Sequence, residues 1–394
     1  MPETGPASAV RRPWRFVFPV LLGAFGFFGL FAGTFAVLLA DLSRALDLSP
    51  GPLGIALFVG AASSILAMAL LGWTGDRVGR RAFLVICGCT TGTGIATLAS
   101  AWNYAFLLAA LAFLFASTGL FDVGINAAAV DLERTARRRY MAVLHAAFSA
   151  GGMVGAISAG VLLSVGMSFR LVYLCTLIPL AAVILAVLAT RFPHVPHAEG
   201  RSEVGEKAGL LGLWRSLPLL IVAVIATLGM LSEGEMEHWS GIYLRRTLDL
   251  SALLGGSGVA VFYGAMAAGR LGAAWVIKRF GNRSTLLGAG LLAASGMVLA
   301  LATRDPLLVV AGFLVVGLAL SAVVPISFSV AGDLAPGRAG AAISAVTTLG
   351  YGGFLLGPVM VGGLAELFGL RLALGTIVAA GLIIFALASR LKAS

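Results

Sequence analysis

The stretch 233-EGEMEHWS-240 carries three carboxylates and a histidine within six residues, between the apolar runs 217-LPLLIVAVIATLGML-231 and 241-GIYL-244. A carboxylate in an apolar cavity is costly to ionise, so it can take up and release protons near neutral pH. At 100° per residue Glu233 and Glu237 share a helical face, about 40° apart, Glu235 points nearly opposite, and His238 lies between. Glu233 is the first choice for a proton-coupling group and Glu237 the second. Glu235 reads instead as part of a solvated rim, an alternative that Glu237 and His238 share.

Few other ionisable groups interrupt apolar sequence, where a charge at mid-bilayer costs about 2.5–3.5 kcal/mol on insertion scales. Asp122 and Asn126 are four apart and so lie on one face. Asp122 stands nine residues from Asp131, about 13 Å of helix, and Arg270 eight residues from Lys278, about 12 Å. Equal depth points to an Asp122–Arg270 pair, the alternative being an Arg270 that snorkels to the interface. His145 lies near the start of its apolar run. Trp239, Tyr243, Tyr263, Phe31, Phe328 and Tyr351 could stack on sugar faces, although most such rings only pack or anchor at interfaces.

A second constellation is the loop 72-GWTGDRVGRR-81. Gly72 permits close helix contact, and Gly79 can supply a turn with positive φ. Asp76 can pair with Arg77 or face a helix N-terminus, whose dipole favours anions. Arg77, Arg80 and Arg81 can reach Asp131 and Glu133 of 131-DLER-134, forming a latch that holds two parts of the chain together in one state. A basic loop that only sets orientation is the plainer reading.

These groups must be positioned by membrane spans. Of 394 residues 59% are hydrophobic and 11% charged, with a mean hydropathy of +1.01; soluble domains run near about 25% charged. The expected fold is an all-α membrane protein with twelve spans, near 16–40, 52–71, 82–101, 104–130, 140–165, 169–190, 216–244, 253–277, 284–302, 306–332, 339–365 and 370–389. With both termini cytoplasmic, 20 of the 27 Lys and Arg fall on the inner side, the positive-inside distribution. The net charge of +10 therefore sets orientation and meets anionic lipid rather than nucleic acid. Residues 1–15 read as a cytoplasmic tail and not as a cleaved leader. Cys87, Cys89 and Cys175 read as small packing residues.

The chain also repeats. 44-RALDLSPGPLG-54 matches 246-RTLDLSALLGG-256 at an offset of 202, which also relates Arg77, Gly79 and Arg81 to Arg279, Gly281 and Arg283, Asp131 to Asp333, and Gly151 and Gly155 to Gly353 and Gly357. Two pseudo-symmetric six-helix bundles, 16–191 and 216–390, follow, joined by a cytoplasmic linker at 192–215. Parallel repeats with a mid-membrane site at their interface are a recurring transporter plan. The second copy of the basic loop puts Lys278 where the register predicts an aspartate, so the latch is asymmetric. At the same offset 233–240 aligns with 31-FAGTFAVL-38, which has no ionisable residue.

The pattern G-x-x-x-D-R-x-G-R-R, placed between the second and third spans of a twelve-span repeat, resembles the signature loop of the major facilitator superfamily. Within it, 121-FDVGINAAAVDLE-133, 145-HAAFSAGG-152, 238-HWSGIYLR-245 and 350-GYGGFLLGPVMVGGLAE-366 resemble the branch of MosC-like carriers, with fucose-permease-like carriers as neighbours. The resemblance implies a monomeric secondary transporter of the inner (cytoplasmic) membrane, working by alternating access with its first, fourth, seventh and tenth spans around the cavity. Its cargo would be a small sugar- or polyol-like solute, coupled to protons. A proton-antiporting exporter of drugs or metabolites is the alternative, weakened because the fifth span lacks a Gly-Pro motif. A lipid-handling or regulatory membrane protein is a third reading. No nucleophile–base constellation, metal spacing, cofactor site or GxxxxGK[ST] loop points to an enzyme or to ATP-driven transport.

Overall fold

The computed structural model describes residues 14–192, 216–335 and 338–391. The expected tail and linker lie almost wholly outside the described residues. In the first half of the chain run α1 (Trp14–Ala45), α2 (Pro50–Leu71), the short α3 (Thr74–Val78), α4 (Arg80–Ala99), α5 (Tyr104–Ala136), α6 (Met141–Ser164), α7 (Phe169–Cys175) and α8 (Leu177–Ala189). The second half has α9 (Leu217–Ile242), a π-helical turn at Tyr243–Thr247, α10 (Ala252–Ala302), α11 (Pro306–Leu320), α12 (Val323–Leu334), α13 (Ala339–Phe368), α14 (Leu370–Ala373) and α15 (Gly375–Ala388). The end at which α1 begins is the near end of the bundle, and the opposite end is the far end.

Among the described residues, eleven helical stretches are long and apolar enough to cross a membrane, one fewer than expected. The expected eighth and ninth spans both lie in the 51-residue α10. At 1.5 Å per residue that run would measure about 77 Å, more than twice a hydrocarbon core. It is broken at Gly281, with φ 76° and ψ 164°. Gly79, its repeat equivalent, separates α3 from α4 at φ 83° and ψ 148°. Only glycine enters this region without strain, so the expected turn at Gly79 is present and recurs in the second half.

Helices without an apolar driving force between them in lipid pack through small residues. On α1 and α6, a Cβ at Gly155 would meet the Leu30 carbonyl at 2.0 Å, and one at Gly33 the Gly152 carbonyl at 2.0 Å. On α9 and α13, a Cβ at Gly357 would lie 3.3 Å from the Leu231 carbonyl, and one at Gly234 3.2 Å from the Phe354 ring. These are the same contacts made twice. Gly155 and Gly152 map onto Gly357 and Phe354 at an offset of 202, but Leu30 and Gly33 map onto Leu231 and Gly234 at 201. The π turn after α9 takes up the odd residue, so that the loop beyond it returns to 202. Such insertions of one residue into a helix are what π turns accommodate.

Arginines tie helix ends in the same paired fashion. Arg81 donates to the Leu188 carbonyl and Arg283 to that of Ser389 (3.0 Å), while Arg170 reaches the Ala101 carbonyl (3.0 Å) and Arg371 that of Thr303 (2.9 Å). Each closes a helix C-terminus whose last carbonyls lack intrahelical partners.

Close packing of α1 on α6 carries a testable cost. Gly155→Leu is expected to lower the thermal midpoint of the purified protein, by about 1–3 kcal/mol of overpacking or more, whereas Gly23→Ala, with nothing within 4 Å of its added Cβ, should leave it unchanged or raise it.

Candidate functional site

Glu233 on α9 and Arg270 on α10 meet within the helical bundle, Arg270 Nη2 donating to Glu233 Oε1 at 2.7 Å. The other guanidinium nitrogen, Nη1, donates to the hydroxyl of Ser149 on α6 at 2.6 Å, crossing from one half of the chain to the other. The side chains of Arg270 and Glu233 are only 20% and 16% exposed, and Ser149 is fully buried. An arginine alone at this depth would carry the full insertion penalty; a carboxylate and a hydroxyl within hydrogen-bond reach offset it. Two expectations are corrected by this geometry: Arg270 pairs with Glu233 rather than Asp122, and it does not snorkel. The reason is topological, because α9 and α10 are joined by one short turn, while Asp122 is held on its own helix by Asn126 Nδ2 at 2.8 Å.

One turn further along α9, Glu237 is half-buried and faces Glu233, Arg270 and the Tyr263 hydroxyl. The shared face of Glu233 and Glu237 is therefore real. From the same half, Tyr351 on α13 lies within electrostatic reach of both Glu233 and, across the interface, Asp122. It is 37% exposed, and the exposed His145 on α6 stands near Arg270, its ring against Phe25 at 5.4 Å. Asp122, Asn126, His145 and Ser149 from the first half thus gather opposite Glu233, Glu237, Arg270 and Tyr351 from the second.

Glu235 is not at a rim. It is 0% exposed, its Oε2 accepting from the Thr376 hydroxyl of α15 at 2.9 Å and its chain lying beside Gly357 of α13. The helical period sent it away from Glu233, as expected, but that direction holds two further helices rather than solvent. His238 is also buried, Nδ1 at 2.7 Å from the Gly234 carbonyl and the ring between Phe35 (6.3 Å) and Phe354 (5.8 Å). Trp239 and Tyr243 are fully enclosed and Phe31 is buried, so of the proposed stacking rings Tyr351 keeps the clearest access. Ser149 and Thr376 were not foreseen; their only sequence signal is a hydroxyl residue in otherwise small or apolar helix sequence.

The basic loop sits at the near end. Arg80 pairs with Asp76 (2.7 Å) and Asp131 (2.8 Å), Arg77 stacks over Trp73 at 4.3 Å, and Gly72, where an added Cβ would lie 3.6 Å from Val123 of α5, ends α2. Glu133 accepts from the backbone N–H groups of Tyr140 and Met141 (2.8 Å to Met141) at the start of α6, where a helix dipole favours a carboxylate. Among the described residues, Arg80 is the one of the three arginines that reaches an expected acid, Asp131, and its bonds run within the first half rather than across to the second.

A thermodynamic cycle tests the central pair. Glu233→Gln or Arg270→Gln should each destabilise by about 2–3 kcal/mol, since either leaves a largely buried charge unpaired, and the double substitution should cost less than the sum of the two. Thermal or denaturant melts of the four proteins decide it.

Sequence and fold comparisons complete the picture. The family model described as Major Facilitator Superfamily matches the chain twice, over residues 20–273 and 239–393. An uncharacterized MFS-type transporter of Yersinia pestis is 30% identical over 354 residues, 90% of each chain. Membrane protein MosC of Rhizobium meliloti is 31% identical over 363 residues, 92% of this chain and 87% of that one. Among solved structures, a point mutant of the nucleoside transporter NupG superposes with a TM-score of 0.82 at 13% identity, over 96% of this chain and 100% of that one. A bacterial homolog of the human lysosomal transporter Spinster gives 0.74 at 15%, over 97% and 96%. Helices apolar enough to span, a turn repeated at Gly79 and Gly281 and these matches over nearly the whole length agree: the chain belongs to the Major Facilitator Superfamily, and is a multi-pass membrane transporter rather than an enzyme.

Proposed function

We propose that the protein is a proton-coupled secondary transporter of a small polar organic solute, sugar- or polyol-like, that works by rocking its two halves about a mid-membrane site. The observation that carries this reading is the Glu233–Arg270–Ser149 connection, in which an ion pair of the second half grips the first. Protonation of Glu233 would cancel the charge that holds Arg270, loosening its bond to Ser149 and freeing the guanidinium for a solute hydroxyl. Asp122 and Asn126 face the same space as acceptor and donor, Glu237 is the next carboxylate on the path, and Tyr351 supplies a ring for an apolar solute face. His238 and Trp239, packed away in this conformation, act as the support behind α9.

In this reading α10 counts as two spans divided at Gly281, the bundle has twelve, and residues 16–191 and 216–390 form its two bodies as a monomer in the inner membrane. The positive-inside bias assigns the near end to the cytoplasm. The loop of Asp76, Arg77, Gly79, Arg80 and Arg81, with Asp131 and Glu133, then stiffens the cytoplasmic end of the first body and engages the second when that end closes.

One observation favours the proton-antiporting exporter as a second reading. Asp122, Glu233 and Glu237 outnumber Arg270 around the site, an excess of negative charge that a cationic solute would satisfy.

Proteoliposomes and a panel of labelled polyols, sugars and amines separate the two. An inward proton gradient of one pH unit should concentrate the solute about tenfold for one proton per solute, and the same gradient should instead drive an exporter's solute the other way. Glu233→Gln should exchange solute without concentrating it. Undiminished proton-driven accumulation in Glu233→Gln would remove its coupling role.

A further inference from the structure

The motif R-x-L-D-L-S-x-x-x-x-G occurs at Arg44–Gly54 and again at Arg246–Gly256, and both copies lie at the far end. They form turns of one shape. The aspartate of each has positive φ, 48° at Asp47 and 54° at Asp249, and the serine of each, Ser49 and Ser251, begins the next helix.

Each turn is held by the other half's arginine. Arg44 Nη2 donates to the Arg245 carbonyl at 2.8 Å. Arg246 Nη1 donates to the Leu48 carbonyl at 2.9 Å and to the Ser43 hydroxyl at 3.1 Å. Between these bonds Arg245, 7% exposed, pairs with Asp41 of the first half. Carbonyls at a helix end carry partial negative charge, so a guanidinium is their natural partner.

The closing glycines of the motif make a second matched pair of contacts. A Cβ at Gly54 would meet the Pro358 carbonyl at 2.7 Å and Gly362 Cα at 3.0 Å. One at Gly256 would meet the Ala156 carbonyl at 2.9 Å and Gly160 Cα at 3.2 Å. Ala156 and Gly160 are themselves the repeat equivalents of Pro358 and Gly362 at an offset of 202. Arginine and glycine of each copy therefore both cross between the halves, and they do so about a pseudo-twofold axis. Among the described residues, the hydrogen bonds between the halves are those of Arg44, Arg245 and Arg246, the bond from the Gly51 N–H to Glu366 Oε2 at 2.8 Å, also at the far end, and the bond of Arg270 to Ser149.

We propose that the repeated motif is a reciprocal clasp: its two arginines and two glycines close the far end of the solute path and set how readily that end opens. The proposal rests on the rocking motion argued above, but it concerns a closure remote from Glu233 and independent of what is carried. A reciprocal design makes a specific demand. Removing either arginine, or blocking either glycine contact, should release the same end by a similar amount, although the four residues sit on different helices and turns.

Distances between paired labels, read by pulsed electron resonance without any solute, test this. Far-end labels go on Trp102→Cys and Leu307→Cys, which are 65% and 81% exposed, in a chain whose Cys87, Cys89 and Cys175 are alanine. Near-end labels go on Arg138→Cys and Arg338→Cys. Arg44→Ala and Arg246→Ala should each raise the ratio of long to short far-end distances by about tenfold or more through loss of charged hydrogen bonds, and Gly54→Leu and Gly256→Leu should each raise it to a similar extent by overpacking the seam. If an alanine variant fails to fold, Arg44→Lys and Arg246→Lys keep the charge without the forked donor and should show a smaller rise. Unchanged far-end distances in both arginine variants would overturn the clasp. The near-end pair reports on the rocking motion separately: it should shorten as the far end lengthens, and a near-end distance that never responds would count against rocking and not against the clasp.

Discussion

A guanidinium about 12 Å along its helix from Lys278, with its side chain only 20% exposed, has little water to hydrate it, and the arrangement of this protein's centre follows from that constraint. Arg270 is tolerable there because Glu233 stands 2.7 Å away and the Ser149 hydroxyl 2.6 Å away. Continuum arguments make such a pair at best a modest contributor to stability, since desolvation consumes most of the attraction. In the proposed function its value lies in being conditional. One proton added to Glu233 turns a matched pair into an unmatched charge, and the third partner belongs to the other half of the chain.

Around that centre the packing is made of backbone. Gly29, Gly33, Gly151 and Gly155 bring α1 and α6 into contact at distances that leave no room for a methyl group, and the second half repeats the scheme more loosely with Gly234 and Gly357. Small residues permit this without large interdigitating side chains that would have to unlock when helices slide. The cost is that such seams hold little specificity of their own, so charged groups at the seams' ends must supply it. Arginines do so throughout: Arg81, Arg170, Arg283 and Arg371 tie helix ends within a half, and Arg44 and Arg246 tie one half to the other.

Much of this was legible in the sequence, for definite reasons. The positive-φ turn at Gly79, the common face of Glu233 and Glu237, and the opposite direction of Glu235 are local properties of one helix or turn, and periodicity reports them directly. Partner choice is not local. Equal depth along two helices matched Asp122 to Arg270, but depth says nothing about which helices are neighbours, and Glu233 was nearer. Glu235 was expected in solvent because a helical wheel shows direction without showing that α13 and α15 occupy it. Asp41 drew no attention because a charge at the end of a span is ordinarily an interface residue; only the three-dimensional meeting of the two turns sets it opposite Arg245.

The π turn after α9 has a further meaning for how such a chain can change. In α1 and α9 the helices correspond at 201, and in the loops beyond them at 202. Arg44 therefore has two counterparts, Arg245 in the helical register and Arg246 in that of the loop. A duplicated half can in this way acquire a charge by insertion rather than by replacement. The wide turn confines the added residue to the helix end, so neither the carboxylates upstream nor the turn downstream has to rotate. Two copies of one fold could thus drift apart in chemistry while their scaffolds stay superimposable, with a single residue of extra length as the record of it.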